Sequence, residues 1–113
     1  MNVTYSDKAK RALGEAELAR TSAATTKILN EYMFQPVEAS WDASEDAQGQ
    51  PVYTIQANDP EESACEVLDP DEIKSDHHLR FHLYMLVGSL LRQRSNKLIR
   101  YPLKTEAANG QKD

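Results

Sequence analysis

Hydrophobic and polar positions repeat with two different periods along this chain, and each change of period marks a new element. From Lys8 to about Gln35 the sequence is rich in Ala, Glu, Lys and Leu, which predicts a long helix capped by Ser6 or Asp7 and stopped by Pro36. Plotted at about 100° per residue, Leu18, Thr21, Thr25, Ile28, Leu29 and Tyr32 share one face, while Ala9, Leu13 and Ala16 fall on another. The second half is therefore expected to pack on the core. The alanine-faced first turns are expected to fray, swap or dock on a neighbour.

Beyond Pro36 the period shortens to two. Val37, Ala39 and Trp41 alternate with Glu38, Ser40 and Asp42, the pattern of a half-buried strand anchored by Trp41. The acidic stretch from Ala43 to Gln50 reads as a turn, the run from Pro51 to Ala57 as a second strand, and the run from Ala64 to Leu68 as a third. Strands this close in sequence predict an antiparallel meander. Asp69-Pro70-Asp71-Glu72 is a helix-start signature, with a capping Asp, Pro at the first position and acids at the positive dipole end. A second cap at Ser75 or Asp76 opens a long helix predicted to run to about Asn96 and to stop at Tyr101-Pro102. The fold class read from this order is α+β, in the sequence α-β-β-β-α. It has a three-stranded antiparallel sheet and a C-terminal helix packed on it, one domain over residues 1–103 and a flexible polar tail over 104–113.

The long C-terminal helix is the most informative segment. Leu79, Leu83, Leu86 and Leu90 follow a 4-3-4 spacing, widened by Val87, Leu91 and Tyr84, which is ordinary core patterning. Phe81 and Met85 project to the opposite side, with Gly88 beside them and Arg92 one turn further. A glycine inside a helix costs about 1 kcal/mol relative to alanine, so Gly88 fits either tolerated drift or a close backbone approach by another element. Phe81, Tyr84, Met85 and Gly88, with Arg92 and Arg94 as a polar rim, are thus the candidate surface for a second protein chain, in a homodimer or a heterocomplex.

Composition sharpens this picture. The net charge is −5, but it is divided: from Glu38 to Asp76 twelve carboxylates face the single base Lys74, and from His77 onward seven bases face two acids. A divided charge orients partners. Arg92, Arg94, Lys97, Arg100 and Lys104, with Tyr101 among them, form a basic cluster that would track phosphates, so a nucleic-acid accessory or regulatory protein is the alternative reading. The acidic balance of the whole chain and the preference of helix C-termini for bases weigh against it.

Catalytic and metal signals are weak. His78 and His82 stand at i and i+4, but a zinc would need further ligands from Cys65, Asp76 or Glu72 at unrelated positions, and no metal or cofactor is assigned. The acidic loop after Asp42 lacks the spacing of a calcium loop. Gly-rich phosphate cradles and nucleophile elbows are absent from the sequence, so a non-catalytic role is expected. Cys65 excludes an intrachain disulfide by being alone, and its apolar strand predicts a small buried side chain. The first seven residues show no export signal and no segment is long and apolar enough for a membrane anchor, which makes the cytoplasm the default address.

Overall fold

The computed structural model describes residues 2–33 and 37–110, with side chains to Ser95. Its elements are β1 (Asn2–Tyr5), α1 (Asp7–Tyr32), β2 (Glu38–Glu45), β3 (Pro51–Asn58), β4 (Ser63–Leu68), α2 (Pro70–Lys74) and α3 (Asp76–Gly110). The fold is α+β, with one correction to the expected sheet. It has four strands in the order β1-β2-β3-β4, and it is mixed, because β1 pairs parallel to β2. Parallel neighbours need a crossover, and α1 supplies it. In β1 only Val3 and Tyr5 alternate with Asn2 and Thr4, a run too short for period two to register in a sequence.

The register sorts every strand residue to one of two faces. Val3, Ala39, Ala57 and Ala64 form one inner row, and Tyr5, Trp41, Ile55 and Glu66 the next. Helices α1 and α3 cover this face. Trp41, Ile55, Leu68, Leu79, Leu83, Leu86 and Leu90 are buried there together with Leu29 and Ile28 of α1. Each such side chain contributes about 1.5–3 kcal/mol through removal from water. The outer face carries Thr4, Ser40, Gln56 and Cys65 in register, and no element covers it among the described residues. Cys65 is therefore exposed, which corrects its expected burial. In β4 the inward positions are Ala64, Glu66 and Leu68, and the alternation sends Cys65 and Val67 outward.

Ser6 caps α1 by accepting from the Ala9 backbone N–H at 3.1 Å while its hydroxyl reaches Asp42 at 2.6 Å. The helix is broken once, at Gly14, whose φ of 80° and ψ of 166° lie where residues with a Cβ are strained. That kink separates the face of Ala9 and Leu13 from the face of the second half, while Ala16, beyond it, is exposed. The first turns pack within the chain: Ala9 is fully buried and Leu13 packs on the core. The helix ends at Tyr32, with Met33 as its cap, ahead of the expected stop; Pro36 lies outside the described residues. Strand β2 runs on to Glu45, because a tight turn follows in which the Asp46 carboxylate accepts from the backbone of Gln48 and Gln50. Gly49 takes the positive φ in that turn.

Helix α2 begins with a full capping box, Asp69 accepting from the Glu72 backbone and Glu72 from that of Asp69. Helix α3 continues through Tyr101 and Pro102 to Gly110 rather than stopping at that pair. Proline removes one bond of the helical ladder but does not forbid the next residues from staying helical. Residues 111–113, the end of the expected polar tail, lie outside the described residues. Among those described, no helix is long and apolar enough to cross a membrane.

Candidate interaction site

Packing on the sheet turns one side of α3 inward and leaves the other in solvent. Leu79, Leu83, Leu86, Val87 and Leu90 are buried, whereas Phe81 is 53%, Tyr84 43% and Met85 44% exposed. These three occupy adjoining positions on the outward side, as their spacing implies. Gly88 continues the strip, and a Cβ built there would meet nothing within 4 Å, so open space lies above it. Arg92 closes the strip as an exposed side chain whose Nη2 approaches the Ser89 hydroxyl at 3.4 Å.

Tyr84 stands where α3 meets α1. Its ring takes an edge-to-face arrangement with Tyr32, centroids 5.7 Å apart, and Tyr32 is itself 43% exposed. The nearby Tyr84 raises the phenol pKa of Tyr32 above its ordinary value. Beside this pair a cleft of about 420 Å³ opens between the helices, with Ala24, Ile28 and Leu79 in its floor and Lys27, Arg80 and Tyr84 along its sides. Sequence reading put Tyr32 on the core-facing side of α1, where it is instead exposed at the helix junction, and missed Lys27 and Arg80 as cleft residues. Nothing local announces them, since the cleft exists only once α1 and α3 cross.

Arg94 behaves differently from Arg92. It turns back onto the β3–β4 turn, where its Nε donates to Asp59 Oδ2 at 2.9 Å. The Asp59 side chain is only 1% exposed and also accepts from the backbone N–H groups of Glu61 and Glu62. Burial works against the Asp59 charge, but these backbone bonds and Arg94 outweigh it and hold its pKa below the usual value. Arg94 is thus bound to a structural turn. Lys97, Arg100 and Lys104, the remaining members of the basic cluster, lie where α3 side chains are outside those described.

The histidines separate. His82 is the most enclosed, at 14% side-chain exposure, with Nδ1 2.8 Å from Glu66 and Nε2 3.0 Å from Glu72. Burial lowers its tendency to charge, but the two carboxylates win and raise its pKa. Glu72 is correspondingly held low, first by the Asp69 backbone N–H and then by His82. This arrangement joins β4, α2 and α3. His78 instead contacts the Ser75 hydroxyl at 3.0 Å, so the i, i+4 pair does not converge. No group of three or more His, Cys, Asp or Glu side chains that could hold a metal occurs among the described residues. A second clamp closes the far end of the cleft: Arg20 holds Glu17 at 2.8 Å and Asp76 at 2.6 Å and also donates to the Ile73 carbonyl. The hydrogen bond to Glu17 is the chief cause of the raised Arg20 pKa and the lowered Glu17 pKa.

No protein-family model and no curated protein matches this chain. In three dimensions it is similar to the N-terminal domain of Protein Y from Thermus thermophilus, solved by crystallography, with a TM-score of 0.54 and 12% sequence identity over 81% of this chain and 98% of that domain. At this identity the likeness shows a shared fold.

Proposed function

We propose that this chain is a non-catalytic protein interaction module of the cytoplasm, a small acidic subunit, adaptor, chaperone or inhibitor that binds another protein chain through the outward face of α3. The observation that carries this reading is the grouping of Phe81, Tyr84 and Met85, each more than two-fifths exposed, on the side of α3 opposite a fully buried leucine row. Burying such a strip supplies affinity, and the charged groups around it orient the partner. A nucleic-acid role for Arg92, Arg94, Lys97, Arg100 and Lys104 is the alternative, and Arg94 is already committed to Asp59.

Photo-crosslinking in cells tests the reading. A benzophenone side chain in place of Phe81 is expected to capture a second protein chain, a copy of this one or another, whereas the same group in place of Gln56 on the outer sheet face is not. The double substitution Phe81→Asp and Met85→Asp is expected to abolish partner association without unfolding, because both positions face solvent. Absence of protein adducts at position 81, or salt-dependent RNA adducts in their place, would overturn it.

A further inference from the structure

The outward side of α3 holds a longer series than its three large apolar residues. His78, Phe81, Met85, Gly88, Arg92 and Ser95 follow one another at spacings of 3-4-3-4-3, and all six are exposed. That spacing keeps one stripe of a helix against a neighbouring helix over successive turns, and it is the seam of a helix pair. The seam is uneven in composition. A ring at Phe81 and a flexible thioether at Met85 precede a gap at Gly88 and a guanidinium at Arg92. Open space lies above Gly88, and Arg92 contacts Ser89 of its own helix at 3.4 Å.

This order is complementary to itself when the second helix runs the other way. With Met85 set over Gly88 of a second copy, Phe81 falls beside that copy's Arg92 and His78 beside its Ser95, and twofold symmetry repeats the three pairs in the opposite direction. The thioether fills the gap, and the guanidinium lies over the ring in a cation–π contact. A parallel pair would instead set Gly88 on Gly88 and Arg92 on Arg92. The divided charge of the chain makes the same choice. Residues 69–76, at the entry to α3, hold four carboxylates against Lys74, whereas residues 92–104 hold five bases and no acid. Antiparallel pairing draws the basic half of each helix toward the acidic entry of the other, and parallel pairing lays like charge on like.

We propose that α3 pairs antiparallel with α3 of a second copy of this chain, centred on Met85 and Gly88, to form a twofold dimer. The proposal rests on the interaction-module reading and names its partner. A foreign helix would have to supply the knob, the gap, the ring and the cation at matching positions, and a second copy already holds all four.

Cysteines at the two ends of the seam test the pairing, introduced in a Cys65→Ser background because Cys65 is exposed. His78 and Ser95 are exposed and stand about 25 Å apart along the helix. Mixed under mild oxidation, a His78→Cys chain and a Ser95→Cys chain are expected to form a disulfide-linked dimer, and neither chain alone is. Sedimentation equilibrium of the unaltered chain is expected to give a dimer that weakens with added salt. Gly88→Leu fills the gap and is expected to give a monomer with the wild-type circular dichroism spectrum, since a Cβ at that position meets nothing within 4 Å. Arg92→Ala is expected to weaken self-association by about twofold to fivefold. A disulfide formed by either cysteine chain alone, or a dimer that survives Gly88→Leu, would overturn the proposal. So would a monomer at every concentration, and the benzophenone at position 81 then separates the two readings. Adducts with a different protein would leave the interaction module standing, and absence of any protein adduct would remove both.

Discussion

Trp41 donates its indole Nε1–H to the hydroxyl of Thr25 at 3.2 Å, across the interface between sheet and helix, with both residues buried. One turn back on α1, Thr21 meets the hydroxyl of Tyr5 at 2.7 Å. Tyr5 and Trp41 are register partners in β1 and β2, and the two threonines are an i, i+4 pair, so two strands and one helix are locked by matched polar atoms inside the apolar layer. Thr25→Val keeps the shape but leaves the indole N–H without an acceptor. It is expected to destabilise the chain by about 1–3 kcal/mol, read as a lower urea midpoint with an unchanged slope. A midpoint within experimental error of wild type would show that the indole finds another acceptor.

That interface shows how far the sequence could be read. Thr21 and Thr25 are legible as core-facing from helical spacing alone, and Trp41 from alternation, since both patterns are local. Their bond is not, because it depends on where β2 lies over α1. The same holds for β1, whose four residues acquire a role only through parallel pairing with a strand more than thirty residues away. Among the candidate residues, Phe81, Tyr84, Met85, Gly88 and Arg92 are placed by helix geometry and are found together on one outward face. Arg94 is separated from them by Asp59, which lies 35 residues earlier, in the turn between β3 and β4.

The His82 clamp makes stability depend on pH. Only the protonated ring donates to Glu66 and Glu72 at once, and those bonds raise its pKa above the unfolded value of 6.5. A raised histidine pKa means that the folded state holds the proton more tightly. The stabilisation is then complete below about pH 6.5 and is lost as pH rises through the folded-state pKa. At the acidic end the depressed pKa of Glu72 works in the opposite sense, its contribution present above 4.5 and lost as pH falls through the folded value. The stability difference between wild type and His82→Gln is therefore expected to be largest in weak acid and to shrink as pH rises from 6.5 through the raised folded-state value. A difference that stays constant over that window, measured by urea unfolding, would refute the clamp.

Arg92 and Arg94 are two residues apart and are expected to respond oppositely to truncation. Arg94→Ala strips a buried carboxylate of its charged partner and is expected to cost about 1–2 kcal/mol of stability. Arg92→Ala removes an exposed side chain and is expected to change stability by less than about 0.5 kcal/mol, with its effect appearing in partner binding. Parallel thermal melts and binding titrations separate the two roles. Equal melting temperatures for the two variants would mean that the Asp59 turn does not need Arg94.

Two glycines lie within the helices, one breaking its helix and one not, and replacing each by alanine distinguishes them. Gly14 sits at φ 80° with nothing near its missing Cβ, so the obstacle to a side chain is the backbone conformation and not space. Gly14→Ala is expected to destabilise by about 1–3 kcal/mol, or to straighten α1 at the expense of the Ala9 contact. Gly88 is inside a helix with no such φ and also meets nothing within 4 Å, so Gly88→Ala is expected to stabilise the isolated chain by about 0.5–1 kcal/mol. A glycine that weakens its own helix while facing solvent, one turn from Met85 and Arg92, fits a site where a partner backbone approaches closely. The same Gly88→Ala variant is then expected to bind its partner more weakly although it melts at a higher temperature. If stability rises and binding is unchanged, the partner does not cross α3 at Gly88, and its contact is confined to the Phe81 end of the strip.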